Sequence, residues 1–194
     1  MFEGVNEDIK VWSDAQGRTS WMGRFLDYLK AHGRLSDLAF MSFEHYPYEA
    51  CSITWPDLYR EPQLISHILD VWREDGLLHN VPMFITESNI SASLTHPMVE
   101  NLAALWLADS VGAFFAADGG AYYHSPIQPE PLRHGCHGWG TYGNFVADEN
   151  FHIKQYTSQY FASRIINLEW IKHGDGAHKM FRAECDAKDE AGHV

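Results

Sequence analysis

Apolar residues along this chain alternate between stretches with helical spacing and short uninterrupted runs. The helical spacing predicts amphipathic helices at about residues 19–33, 62–76, 97–108 and 151–171. The uninterrupted runs predict strands buried on both faces, as parallel sheets require, at residues 38–43 and 81–86. Residues 111–124, which contain an apolar run and then Gly119-Gly120, predict a third strand with a bulge or an irregular rim.

This alternation of helices and strands is typical of right-handed βαβ units around a parallel sheet, so the sequence predicts an α/β fold. A closed eight-fold (β/α)8 barrel usually takes roughly 250 residues, whereas this chain has 194. Only three strands are clear in the pattern. The chain is therefore short for a complete barrel.

Composition and charge exclude some classes of function. The formal net charge is −12, from 26 acidic and 14 basic residues, so no basic surface favours nucleic acid. Polar residues interrupt the longest apolar stretch, 102–117, and no transmembrane segment is expected. No signal peptide is visible at the start, which leaves the localisation open. Nothing marks a phosphate site or a cofactor, and we expect none.

The cysteines and one histidine-rich loop suggest no further chemistry. Three cysteines without close spacing predict neither a disulfide framework nor a zinc motif. The segment His134-Gly135-Cys136-His137 has no second pair of ligands, so it is better interpreted as a rim loop than as a metal centre. Trp139 follows in the same loop. Its ring could stack on a ligand or simply anchor the loop to the protein, and the sequence favours neither interpretation.

Polar clusters fall at the carboxyl ends of all three predicted strands. They are Glu44-His45-Tyr46, Glu87-Ser88-Asn89 and Tyr122-Tyr123-His124. Ligand sites of parallel α/β sheets form beyond these strand ends, because the strand bodies are packed and the loops are free to vary. Each cluster alone fits an ordinary solvated strand exit, but three together favour a site.

Carboxylates flanked by aromatic side chains are suited to glycoside hydrolysis, in which paired carboxylates act on an oxocarbenium-like transition state. Metal binding and proton abstraction are the alternatives for two carboxylates and a histidine. Glu44, His45 and Glu87 lack the short helical spacing that makes a metal motif specific. Carbohydrate is therefore the expected partner.

The segment Phe40–Pro47, followed about forty residues later by Phe84–Asn89, resembles strands six and seven of clan A glycoside hydrolases. The nearest match is similar to family 39 and its relatives. The resemblance implies a (β/α)8 TIM barrel and a retaining mechanism, with Glu87 in the position of the nucleophile. Residues 122–124 would lie on strand eight.

The same resemblance implies roles for the residues around Glu87. Strand six of the clan commonly supplies a His or Tyr that hydrogen-bonds the substrate or the nucleophile, which fits His45 and Tyr46. Glu44 is a candidate second carboxylate, and substrate binding is its preferred role. We expect Asn89, Tyr122, Tyr123, His124 and Trp139 to bind substrate as well.

The resemblance predicts that residues 1–172 form the C-terminal half of the barrel, about strands five to eight. Residues 173–194 would be the truncated start of a β-rich accessory domain or a tail. The clan's acid/base is a glutamate on strand four, usually after asparagine. Asn6-Glu7 has this dipeptide, but Asp8 replaces the usual proline and only one strand separates Glu7 from Glu87, where two are expected.

Without its acid/base the isolated chain would be nearly inert, and open barrel edges would favour self-association. The alternative function is a non-catalytic half-barrel or carbohydrate-binding remnant without turnover. A third hypothesis is an unrelated α/β enzyme that uses Glu44, His45 and Glu87 to abstract a proton.

Overall fold

The computed structural model describes residues 21–48, 50–137 and 140–171, together with residues 174, 186, 188 and 192. The helices are α1 (Trp21–Ala31), α2 (Trp55–Leu58), α3 (Glu61–Glu74), α4 (Asn101–Ala116) and α5 (Ser158–Ile165), which continues as a π-helical turn, Ile166–Trp170. The strands are β1 (Met41–His45), β2 (Met83–Ser88), β3 (Ala121–Tyr122), β4 (Glu130–Pro131), β5 (Phe145–Ala147) and β6 (Ile153–Tyr156). Three short 3-10 turns lie at Leu35–Asp37, Ala50–Ser52 and His96–Val99.

Over the described ranges the chain is a mixed α/β protein with two small sheets. The first sheet has the order β1-β2-β3, and both of its strand pairs are parallel, which confirms the predicted parallel sheet. The segments that connect its strands contain α3 and α4, as βαβ units require. In the second sheet β4 runs parallel to β5, and β5 pairs antiparallel with β6. The strands in the described ranges do not close into a barrel.

One face of the parallel sheet packs against helices. A first core cluster joins Leu26 of α1 and Ile65 of α3 to Ile85 of β2. A second cluster joins Trp106 of α4 to Ile90 after β2 and Tyr142 before β5. Helix α4 is apolar around most of its circumference, because it is packed between the sheet, α3 and α5.

The strand pair β1–β2 contains a register irregularity that decides which side chains leave the helix-covered face. Phe43 lies opposite Ile85, but the next residue, Glu44, lies opposite Glu87, so Thr86 is an extra residue in β2. Thr86 and Glu87 are both exposed, whereas Ser88 is buried. A bulge of this kind re-aims side chains, because it breaks the two-residue alternation of a strand.

Two predicted elements were wrong at their boundaries. Residues 111–116 continue α4 instead of forming a strand, and the third strand is only Ala121–Tyr122. Their apolar run fits a helix buried on several sides as well as a buried strand, and pattern alone cannot separate the two. Residues 153–156 form β6, and α5 begins after Thr157, whose hydroxyl accepts a hydrogen bond from the backbone N–H of Tyr160.

The apolar faces of two helices also differ from expectation. Helix α1 buries Leu26, whereas Trp21, Phe25 and Tyr28, which follow the helical spacing of its apolar residues, are about half exposed. Helix α5 likewise leaves Phe161 exposed. Helical spacing identifies an apolar stripe, but it does not say whether the described part of the fold covers that stripe. In the described ranges, no helix combines the length and the apolar character that a membrane span needs.

The cysteines correct a further expectation, because Cys51 and Cys136 form a disulfide. Their Cα atoms are 5.5 Å apart, although the residues are 85 positions apart in the sequence. Their spacing gave no sign of this pair, since only the fold brings the two loops together. The bond joins the 3-10 turn after β1 to the loop after β4, next to an isolated bridge between Leu94 and His137.

We expect the variant Cys51→Ser to unfold at a lower denaturant concentration than the oxidised wild type. Closing a long loop restricts the unfolded chain, and loss of such a bond typically costs about 2 to 4 kcal/mol. Guanidinium unfolding with and without reductant measures the difference, and reductant should shift only the wild type. A non-reducing digest without a linked Cys51–Cys136 peptide would contradict the assignment.

Candidate functional site

The face of the parallel sheet turned away from the helices carries two neighbouring carboxylates. Glu44 and Glu87 are cross-strand partners at the carboxyl ends of β1 and β2, and both side chains are exposed. Neighbouring strands lie about 4.8 Å apart, so the two side chains start from adjacent positions. Phe40 and Phe84 stack at 5.3 Å between ring centroids, and Phe84 precedes Glu87 on the same strand. This face is therefore acidic at the strand ends.

Tyr46 holds the carboxylate of Glu87. Its hydroxyl donates a hydrogen bond of 2.8 Å to Oε2 of Glu87. Burial raises the pKa of Tyr46 to about 12, and the hydrogen bond to Glu87 and the charges of Glu87 and Glu44 act in the same direction. The Ser125 side chain interacts with the same phenol and lowers its pKa. Tyr46 consequently remains a protonated donor at neutral pH.

His45 points away from this face and into the protein. Its ring is fully buried, and Nε2 lies 2.6 Å from Oε1 of Glu61, which is also fully buried. The hydroxyl of Tyr48 donates to Oε2 of Glu61 at 3.1 Å, and burial together with Glu61 raises the pKa of Tyr48. The ring of His45 also stacks on Trp106 at 6.2 Å between centroids. These contacts connect the end of β1 to α3 and α4.

Asn89 occupies the interior just beyond β2. Its Nδ2 donates to the carbonyl oxygens of Ser125 at 2.6 Å and Tyr142 at 2.9 Å. Its Oδ1 accepts from the backbone of Ile90 at 2.8 Å and from Gln159 at 3.3 Å. With these partners, the side chain joins the end of β2 to the loop after β3 and to α5.

The three residues at the end of β3 point in alternating directions. Tyr122 faces the helices, where its hydroxyl lies 2.8 Å from Oγ of Ser110 and burial raises its pKa. Tyr123 is 59% exposed, and its backbone N–H donates to the carbonyl of Ile85. His124 turns inward again. Of these three residues, Tyr123 is therefore the one that is exposed, as Glu44 and Glu87 are.

His124 is a partly buried titratable residue whose two ring nitrogens are both buried. Neither ring nitrogen has a partner with hydrogen-bond geometry in the described part of the chain. Burial lowers the pKa of His124 to about 4, and the Gln159 side chain and the Ser88 backbone offset only part of this effect. The ring lines a cavity of about 130 Å³ together with Ser163 and Asn167. His124 is therefore neutral at pH 7.

Two of the predicted site residues, Glu7 and Trp139, lie outside the described residues. Two further residues were not selected from the sequence. Ser125 directly follows Tyr122-Tyr123-His124, and its place at the end of the same strand could have indicated it. Glu61 had no such signal, because a buried carboxylate at the start of α3 looks like a favourable first-turn charge. Across the described ranges, no group of three histidine, cysteine or acidic side chains is arranged to hold a metal ion.

The chain matches no protein-family model, and no curated protein matches it. The site is therefore defined by its geometry. That geometry is a pair of exposed carboxylates on adjacent parallel strands, with a protonated phenol bonded to one of them.

We expect Glu61→Ala to destabilise the fold strongly. It would leave the buried His45 ring and the Tyr48 hydroxyl without their shared acceptor, and losing the acceptor of a buried donor costs about 1 to 3 kcal/mol. Glu61→Gln keeps one acceptor oxygen and should lose less. Urea unfolding of both variants measures the difference. Equal stability of Glu61→Ala and wild type would contradict a structural role for this pair.

The free energy of unfolding should fall as the pH is lowered from 6.5 to 4. The pKa of His124 is about 4 in the folded chain against an ordinary value of 6.5, so the unfolded chain binds more protons in this window. The contribution of His124 approaches about 3 kcal/mol at pH 4. Urea unfolding at several pH values, with His124→Phe as the control, isolates the contribution of His124 to the free energy of unfolding. Identical pH slopes for the two proteins would count against burial of the ring.

Proposed function

We propose that this chain is part of a retaining glycoside hydrolase that acts on O-glycosidic bonds, with Glu87 as its nucleophile. The observation that carries the proposal is the setting of the Glu87 carboxylate. It is exposed at the carboxyl end of a parallel strand, bonded to the Tyr46 hydroxyl, and paired across the strands with Glu44. A carboxylate oriented in this way is available to an incoming sugar.

In the proposed reaction an oxygen of Glu87 attacks the anomeric carbon while the bond to the leaving oxygen breaks. A second carboxyl group donates a proton to that leaving oxygen. Water then attacks the glycosyl-enzyme ester, gives its proton back to the second carboxylate and releases Glu87. Tyr46 orients Glu87 by donating to Oε2, which leaves Oε1 for the attack.

The second carboxylate is either Glu44 or a group outside the described residues, such as Glu7. Glu44 is adjacent to Glu87, and retaining enzymes place their two carboxyl groups about 5 to 5.5 Å apart. We assign Glu44 to substrate contact, in keeping with the resemblance, which puts the acid/base on another strand. The experiment below separates these roles.

The other residues fall into two groups according to the direction of their side chains. Tyr46 and Tyr123 are assigned to substrate contact, and Trp139 remains a candidate for the same role. His45, Asn89 and Tyr122 would support the strand ends from within, because their hydrogen-bond partners are interior groups. His124 would do so from the cavity that it lines.

The proposed architecture is the C-terminal half of a (β/α)8 barrel over residues 1–172, followed by the start of a second domain over 173–194. The parallel order β1-β2-β3 with intervening helices supports it, since strands five to eight of a barrel have this pattern. Self-association through open edges of the barrel sheet is part of the same proposal.

The second candidate function is carbohydrate binding without turnover. Trp55, Tyr59 and Tyr123 are 53%, 48% and 59% exposed, and flat aromatic rings stack on the apolar faces of sugars. In this function Glu87 would only accept hydrogen bonds from sugar hydroxyls.

Kinetics with two kinds of leaving group test the catalytic proposal. A panel of 2,4-dinitrophenyl glycosides needs no leaving-group protonation, whereas the matching methyl glycosides do. We expect Glu87→Gln to lower kcat/KM on the dinitrophenyl substrates by about a thousandfold or more, because the attacking oxygen is weakened. If Glu44 only contacts substrate, Glu44→Gln should slow both substrate kinds by a similar factor.

A loss confined to the methyl glycosides would instead make Glu44 the acid/base. Azide added to Glu87→Ala should restore turnover and give a glycosyl azide of inverted configuration. Full activity of Glu87→Gln, with circular dichroism equal to wild type, would remove Glu87 as nucleophile. Sugar binding without turnover of any activated glycoside would support the second candidate function.

A further inference from the structure

A large open cavity lies between the loop after β1 and the start of α3, and it is used by none of the steps above. Its volume is about 610 Å³. Pro47 and Tyr48 line it from the loop after β1, and Tyr59 lines it from the turn before α3. Arg60, Gln63, Leu64 and His67 complete its lining from the start of α3.

The cavity combines aromatic surface with hydrogen-bonding side chains. Gln63 and His67 are four residues apart on α3, so both project from the same side of the helix. Both side chains are exposed. Tyr59 is 48% exposed, which leaves ring surface for a ligand. A ligand with flat apolar faces and a polar edge matches this combination, and a sugar ring has both.

One wall of the cavity is rigid. The single proton of the Tyr48 hydroxyl is shared between two acceptors, the carbonyl oxygen of Asp57 at 2.8 Å and Oε2 of the buried Glu61 at 3.1 Å. The ring of Tyr48 is therefore fixed before any ligand arrives, which lowers the entropy cost of binding.

The charges at the cavity favour a neutral ligand over an anion. The guanidinium of Arg60 forms an ion pair with Asp57. Burial opposes ionisation of Asp57, but hydrogen bonds from Thr54 and the contact with Arg60 outweigh it and lower the pKa of Asp57. The cation is thus already balanced. The net charge of −12 also repels anions at long range.

The cavity is continuous in sequence with the candidate site. Pro47 directly follows Tyr46, the residue that holds Glu87. A shallower cavity of about 360 Å³ shares Gln63 and His67 and continues along α3 to Asp70. Two adjoining cavities form a groove that is longer than one sugar unit requires.

We infer that this groove, defined by Tyr48, Tyr59, Gln63 and His67, binds several units of a neutral oligosaccharide. The inference rests on the proposed function for the reaction at Glu87, and it adds the substrate class: a neutral chain of several sugars, not an isolated glycoside. Tyr59 stacks on one unit, and Gln63 and His67 bond its hydroxyl groups.

Binding measurements on Glu87→Gln test this inference without turnover. Isothermal titration would use the neutral tetramers cellotetraose, xylotetraose, mannotetraose and galactotetraose, their four monosaccharides, and tetragalacturonate. We expect at least one neutral tetramer to bind ten times more tightly than its monosaccharide. Adding Tyr59→Ala or His67→Ala should raise the Kd of that tetramer about tenfold, because one stacking or bonding contact is lost.

Two control variants separate the groove from general effects on the fold. Tyr59→Phe keeps the ring and should bind within about twofold of the parent, and Glu74→Ala lies on the exposed end of the same helix and should change nothing. Equal binding of tetramers and monosaccharides would overturn the inference. So would an unchanged Kd in Tyr59→Ala, preference for tetragalacturonate, or no binding of any tetramer.

The outcomes for the groove and for the nucleophile are distinguishable. If tetramers bind through Tyr59 but the wild type does not cleave activated glycosides, only the catalytic role of Glu87 is contradicted. If cleavage requires Glu87 but tetramers bind no better than monosaccharides, only the inference about the groove is contradicted.

Discussion

The irregular register between β1 and β2 is the constraint on which the candidate site depends. Because Thr86 is an extra residue in β2, Glu87 takes the position opposite Glu44, and Ser88 turns inward. In a regular strand Thr86 would be the partner of Glu44, and Glu87 would point toward the helices, where an unpaired carboxylate is costly. One inserted residue therefore converts an ordinary alternating strand into one that presents a second carboxylate on the exposed face.

The interior beneath this face is built from polar groups that are matched to each other. His45 and Tyr48 share the buried carboxylate of Glu61, and Asn89 joins the loops that follow β2 and β3. Such groups are expensive to bury unless they are fully bonded, and once bonded they allow few alternative arrangements. Tyr46, the residue that bonds Glu87, lies between His45 of the interior network and Pro47, which lines the groove. The orientation of Glu87 and the lining of the groove would then both depend on the residues that follow β1.

Much of the fold could be predicted from the sequence, because buried strands and amphipathic helices leave local patterns. The parallel sheet and the clusters at its strand ends are examples. Residues 111–116 could not be assigned, since an apolar run fits a buried helix or a buried strand. The Cys51–Cys136 pair and the His45–Glu61 contact depend on residues distant in sequence, which periodicity cannot bring together. The bulge also left no pattern in the sequence, and it decides that Ser88 faces inward while Glu87 faces outward.

The central claim is that Glu87 forms a covalent bond to a sugar during turnover. Intact mass and peptide mapping after incubation with 2-deoxy-2-fluoro glycosides carrying a dinitrophenyl leaving group measure this directly. The 2-fluoro group slows both formation and hydrolysis of the ester, and the dinitrophenyl leaving group speeds only its formation, so the ester accumulates. The account predicts one added sugar on the peptide that contains Glu87, and no adduct on Glu87→Gln. A sugar attached to Glu44 or to another peptide, or turnover that releases product of inverted configuration, would contradict it.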